Sequence, residues 1–118
     1  MKTYSIQERT FEFAVEIVLL YKKLRKQEDI LCKQLVRSGT SIGANAAEAN
    51  SAQSKADFIS KLSISEKESS ETDFWLRLLY RTDYINQSDF VKLHSENDEI
   101  LRILKSIIKN TKQNSLKK

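Results

Sequence analysis

No proline occurs in these 118 residues, and both glycines, Gly39 and Gly43, fall inside one stretch, RSGTSIGANAAEA (37–49). Proline and glycine are the residues that most readily interrupt a helix, so a chain almost free of them is built for long helices. Nothing alternates with period two over the length of a strand, and no β-branched run suggests a sheet. No apolar stretch approaches the roughly 20 residues that cross a bilayer. The N-terminal MKTYSIQERTFEF lacks the apolar core of a secretory signal, so a cytoplasmic protein without a membrane partner is expected. The single cysteine, Cys32, has no internal disulfide partner, as suits a reducing compartment.

Helical periodicity predicts four segments: Ile6 to Lys26, Glu28 to Ser51, Ser54 to Thr82, and Ser88 to Thr111. Ser54 stands three residues before Asp57, the capping-box distance, and Ser88 precedes an acid in the first turn. The connections are short, so successive helices must run antiparallel, in an all-α, up-down-up-down four-helix bundle. One bundle domain is expected over 1–112, with a basic, frayed tail at 113–118.

At 100° per residue, Leu31, Leu35, Ile42, Ala46 and Ala49 form the core seam of the second helix. Gly39, Gly43, Ala47 and Asn50 make an adjacent strip of small side chains. Each glycine costs about 1 kcal/mol of helix propensity against alanine, which close approach of another backbone would offset. The third helix carries a stripe with bulky ends (Phe58, Leu62, Leu76, Leu79) and a small middle (Ser65, Ser69, Thr72). That narrow waist is expected to meet the small strip, so Gly39, Gly43, Ala46 and Ala47 are assigned to packing between the second and third helices. The other reading makes residues 65–73 a solvated face.

The first helix is apolar around most of its circumference, leaving a polar strip of Glu12, Glu16 and Lys23 only about 40° wide. A bundle helix needs an apolar face of little more than about 100°. The third helix repeats the excess, with Ile64, Trp75 and Leu78 beside its core stripe and Glu71 among them. Exposed patches of this kind invite association. A homo-oligomer follows, with Phe13, Ile17, Leu20, Ile64, Glu71, Trp75 and Leu78 as interface candidates. Arg37, Ser41 and Glu48 share one face of the second helix, suited either to a charged contact between copies or to solvent.

No catalytic constellation is visible. Glu66, Glu68, Glu71 and Asp73 splay over several helix faces, and a di-metal bundle needs two Glu-x-x-His pairs where only His94 exists. No phosphate-loop or dinucleotide motif occurs, so neither a cofactor nor an enzymatic activity is expected. The net charge of +4 is unevenly spread. Residues 1–27 carry six basic and three acidic side chains, and residues 88–118 carry seven and four. Lys22, Lys23, Arg25 and Lys26 close the first helix, whereas Lys105, Lys109 and Lys112 line the last. In an up-down-up-down bundle these clusters sit at opposite ends. A ring of copies would repeat each into a collar of positive potential suited to RNA or DNA phosphates. No aromatic residue interleaves with the lysines, so base stacking is not signalled. Solubility and helix-dipole complementarity explain the same lysines without a nucleic acid.

The chain resembles a known family. Ser41, Ile42, Ala44, Asn45, Ala47 and Glu48 spell S-I-x-A-N-x-A-E, and Glu71, Trp75 and Leu76 spell E-x-x-x-W-L. Both are similar to motifs of the small bacterial four-helix bundle proteins first noticed as products of intervening sequences in large-subunit ribosomal RNA genes. Relatives of that family include the accessory variability determinant of diversity-generating retroelements. Many members carry proline at Gly43 and glycine at Ala49; the second departure places the corner after the second helix near Asn50. The resemblance implies a homopentameric ring without known catalysis, and its retroelement branch implies a reverse transcriptase complex as partner. Two roles stand: a nucleic-acid or ribonucleoprotein scaffold, or a purely structural, protein-binding oligomer.

Overall fold

The computed structural model of the protein describes residues 5–116 as four helices joined by short turns, in an antiparallel, up-down-up-down arrangement: α1 (Ile6–Leu24), α2 (Ile30–Ala49), α3 (Lys55–Arg81) and α4 (Gln87–Leu116). Among the described residues there is no strand. Each helix begins where a side chain satisfies an orphan backbone N–H. Ser5 and Glu8 form a reciprocal capping box on α1, the Ser5 hydroxyl accepting from the Glu8 N–H at 3.1 Å. The Glu28 carboxylate accepts from the Leu31 N–H at 2.9 Å, while Asp29 is taken up by the Tyr21 hydroxyl and Lys33. Ser54 accepts from the Asp57 N–H at 3.0 Å, and the Asp57 side chain reaches back to the N–H of Gln53 rather than to that of Ser54.

Most boundaries fall within two residues of expectation, and those of α4 have a local cause. Asn86, not Ser88, starts α4, its side-chain oxygen accepting from the Asp89 N–H at 2.8 Å. The same helix is described to Leu116, beyond the expected end at Thr111, and nothing in NTKQNSL breaks a helix. Residues 117 and 118 of the expected tail lie outside the described residues. The α2 terminus falls where expected, with Asn50 as its C-cap.

The core forms from the inward stripes of all four helices, with Phe13, Ile17, Leu35, Ile42, Leu76 and Leu104 among its fully buried members. On α2 the seam includes Leu35, Ile42, Ala46 and Ala49, but Cys32 is buried where Leu31 was expected, and Leu31 is half-buried. Burial pushes the Cys32 thiol above its usual pKa.

The α2–α3 pairing is the most extensive in the bundle. The small middle of α3 does meet α2: the Ser65 hydroxyl donates to the Ile42 carbonyl at 2.8 Å, and the Thr72 hydroxyl to Ser38 Oγ at 2.9 Å. The glycines, however, face α1. A Cβ on Gly39 would stand 2.9 Å from Ile17 Cγ2, and one on Gly43 would stand 3.0 Å from the carbonyl oxygen of Thr10. The two edges of α2 are therefore divided by chemistry, with glycines against α1 and hydroxyls against α3. Ala46 is buried and its carbonyl accepts from Gln7, but Ala47 is exposed, on the rim of a shallow groove with Asp57 and Lys61 of α3.

Between α3 and α4, buried Asn97 exchanges hydrogen bonds with Ser69. The fourth edge is different. Helices α1 and α4 touch least, and charges line their seam: Arg9–Glu99 at 2.9 Å, Glu16–Lys92 at 2.5 Å and Lys23–Asp89 at 3.0 Å.

Candidate functional site

Two kinds of surface are available for function, one apolar and one basic. The apolar surplus expected on α1 is present, but on other residues. Phe13, Ile17 and Leu20 are buried in the chain's own core and cannot form an interface. The solvent side instead carries Phe11, Val15 and Leu19, which are 64%, 39% and 58% exposed. Spaced four apart, they form one stripe along the helix. The wheel identified the excess correctly; choosing its outward members required knowing where α2 and α4 lie.

Ile64, Glu71, Trp75 and Leu78 are half-buried on the α2 side of α3. There Arg37 bridges the carboxylates of Glu68 and Glu71, and the Trp75 indole N–H donates to Glu71 at 3.0 Å. That N–H donation, together with the Arg37 guanidinium, holds the Glu71 carboxyl below its usual pKa. Arg37 is thus engaged within its own chain, and Ser41 donates to the Arg37 carbonyl at 2.7 Å. Phe74, largely exposed, packs edge-on against Trp75 with ring centroids 5.0 Å apart. The sequence reading missed Phe74 because its position on α3 lies outside both apolar stripes.

The basic candidates form two clusters. Lys22 and Lys23 occupy the last turn of α1, Arg25 is its C-cap and Lys26 follows; all four are exposed. Lys23 pairs with Asp89 near the start of α4, whereas Lys22, Arg25 and Lys26 make no ion pair among the described residues. Lys105, Lys109 and Lys112 line a groove of about 380 Å³ with Glu66, Ile108 and Gln113. Lys105 stands 3.9 Å from Glu66; Lys109 and Lys112 have no acidic partner among the described residues. The antiparallel order keeps the clusters at opposite ends, since α4 passes Lys23 near its start and runs on past Arg9.

A third feature lies on the α3–α4 seam. Tyr80, Phe90 and His94 stack in sequence, with centroid separations of 4.2 Å and 4.9 Å. Asp73 holds His94 Nε2 at 2.7 Å and is itself paired with Arg77. These rings belong to two helices and become neighbours only once α3 and α4 pair.

Among the described residues, no group of three or more His, Cys, Asp or Glu side chains is arranged to hold a metal ion, and no helix is long and apolar enough to cross a membrane.

The fold and its outward-facing sites define a class: a compact antiparallel four-helix bundle whose candidate binding features all lie on its surface. Within that class the chain belongs to the 23S rRNA-intervening sequence protein family, which it matches over residues 2–106. It is similar to a protein of unknown function from the S23 ribosomal protein family of Bacteroides thetaiotaomicron. That crystal structure superposes with a TM-score of 0.86 at 50% sequence identity, over 89% of this chain and 99% of the other. No curated protein matches the chain.

Proposed function

We propose that the protein is a non-enzymatic, self-associating scaffold that binds nucleic acid or a ribonucleoprotein through repeated basic patches. The observation that carries this reading is the pair of exposed cationic clusters, in which Lys22, Lys26, Lys109 and Lys112 make no ion pair among the described residues. Surface cations left unpaired are free to exchange counterions for phosphates, the sequence-independent source of most nucleic-acid affinity. Copies joined through the α1 stripe, in the homopentameric ring that the family resemblance implies, would multiply each cluster around an axis. The cytoplasm is the compartment proposed for this assembly.

Binding of a labelled mixed-sequence RNA, followed by anisotropy between about 50 and 200 mM salt, tests the role. An affinity that falls steeply over that range is expected. No binding at the lowest salt would overturn the reading.

The exposed Phe11–Val15–Leu19 stripe also favours a second role, a purely structural or protein-binding oligomer whose lysines serve only solubility. Capture of a protein partner that survives nuclease treatment, without any RNA binding by the purified protein, distinguishes it.

A further inference from the structure

We infer that the outer seam between α3 and α4 is a track for single-stranded nucleic acid, with phosphates on Lys105, Lys109 and Lys112 and a base stacked on the ring column that ends at His94. This rests on the nucleic-acid reading above and assigns it a site and a strand type. The track combines features that neither helix carries alone. Tyr80 from α3 and Phe90 and His94 from α4 form a column whose 4.2 Å and 4.9 Å spacings approach those of stacked bases. His94 is the terminal ring, and its side chain is 35% exposed, so it has surface to offer another flat group.

From His94 the same face of α4 continues through Leu101, Lys105 and Ile108 to Lys112, all within about 60° on the helical wheel. Lys109 flanks that line and shares its groove. His94 and Lys112 are about 27 Å apart along the helix axis, room for about eight nucleotides of a stacked strand.

The acids along the way are already engaged: Asp73 by His94 and Arg77, Asp98 by Arg102, and Glu66 by Lys105. Lys109 and Lys112 are the positive charge left unpaired among the described residues, and Lys105 joins them by exchanging its 3.9 Å contact with Glu66 for a phosphate. A base stacking on a ring while phosphates follow a cationic groove is the usual arrangement for single strands. A duplex hides its base faces inside the helix and can use only the lysines. A lipid surface would use the lysines and leave the rings idle.

The test is anisotropy with fluorescein-labelled twelve-nucleotide oligoadenylate and a twelve-base-pair RNA duplex, using the full chain and helicity-checked variants. The single strand should bind at least about fivefold more tightly than the duplex. Replacing Lys105, Lys109 and Lys112 together by Gln should weaken binding at least about tenfold and lower the salt slope by about 2. His94→Ala should weaken the single strand about fivefold without changing the duplex or the salt slope, and His94→Phe should restore it. A purely structural role for His94 would move thermal stability and leave this discrimination intact, which would overturn the stacking site. If replacing Lys22, Lys23, Arg25 and Lys26 abolishes binding while the α4 triple variant binds normally, the nucleic-acid role stands and the track falls. If the unaltered protein binds neither probe, both fall together.

Discussion

Asn97 and Ser69 clasp one another across the α3–α4 interface: the Asn97 amide donates to the Ser69 carbonyl at 2.9 Å, and the Ser69 hydroxyl donates to Asn97 Oδ1 at 2.8 Å. Both side chains are buried, so neither has water as an alternative partner. Asn97→Ala should cost about 2–3 kcal/mol, from two lost hydrogen bonds and a small cavity. Ser69→Ala should cost about 1–2 kcal/mol. Urea unfolding of the two single variants and the double variant should show a coupling of about 1 kcal/mol. Strict additivity would mean that the pair does not act as a unit.

Gly43 presents its bare Cα to the backbone of Thr10, which has little freedom to retreat. Alanine there gains about 1 kcal/mol of helix propensity but overpacks a close helix contact at about 1–3 kcal/mol. The expected outcome for Gly43→Ala is a net loss of about 1 kcal/mol in chemical denaturation. Ala47→Gly, one turn further on and exposed, should cost only the propensity difference of about 1 kcal/mol. A gain in stability for Gly43→Ala would show that α1 can move aside.

Asp83 adopts φ 69°, the left-handed conformation, just after the C-cap of α3. The Tyr84 N–H returns to the Leu79 carbonyl and the Asp83 N–H to that of Tyr80, which is the Schellman hydrogen-bond pattern. Glycine is the residue this position favours. Asp83→Gly should raise stability by about 0.5–1 kcal/mol, read as a higher Tm. A lower Tm would mean that the aspartate side chain contributes more than its backbone conformation costs.

Burial, followed by the nearby Glu16 carboxylate, pushes the Glu96 carboxyl above its usual pKa; Lys92 and Arg9 oppose the shift. A carboxyl whose folded pKa lies above its unfolded one binds its proton more tightly when folded. It therefore loses stability as pH rises through the window above about 4.5. Glu96→Gln should raise Tm near pH 7, with the advantage disappearing below about pH 4. Glu71 has the opposite sign, since its lowered pKa adds stability that is lost on acidification. An advantage for Glu96→Gln that persists undiminished in acid would rule out titration as its source.

Self-association should depend on the α1 stripe. Phe11→Glu and Leu19→Glu place charge on side chains that are already exposed, so the fold should survive with unchanged helicity. Light scattering should then report a mass near the 13.7 kDa of one chain, against a multiple of it for the unaltered protein. Variants that keep the larger mass would move the contact elsewhere, with the Trp75–Phe74 edge the next surface to change.

The helices, their order and most of the inward stripes were legible because 3.6-residue periodicity and turn residues are local signals. Ser65 and Thr72 meeting α2 was legible too, since an antiparallel neighbour had to face the waist of α3. The destination of Gly39 and Gly43 was not. A wheel tells which side of α2 is small, but not whether α1 or α3 occupies that side. The same limit assigned Phe13, Ile17 and Leu20 to an interface when the outward members were Phe11, Val15 and Leu19. The ring column was invisible for a different reason: Tyr80 and Phe90 lie ten positions apart in sequence, on helices whose facing register only packing determines. On the basic surface, residue positions were readable, but the acids that would neutralise Lys23 and Lys105 were not.

The edge between α1 and α4 is fastened in part by Arg9–Glu99, Glu16–Lys92 and Lys23–Asp89, outside the shared core, whereas α1 grips α2 through backbone-close packing at Gly43. Dissolved ions weaken the first kind of fastening and barely affect the second. In brine the molecule should therefore begin to part along that side alone, like a book opening opposite its spine. Amide protons on the face of α4 toward the gap should then exchange with solvent before those at the α2–α3 interface.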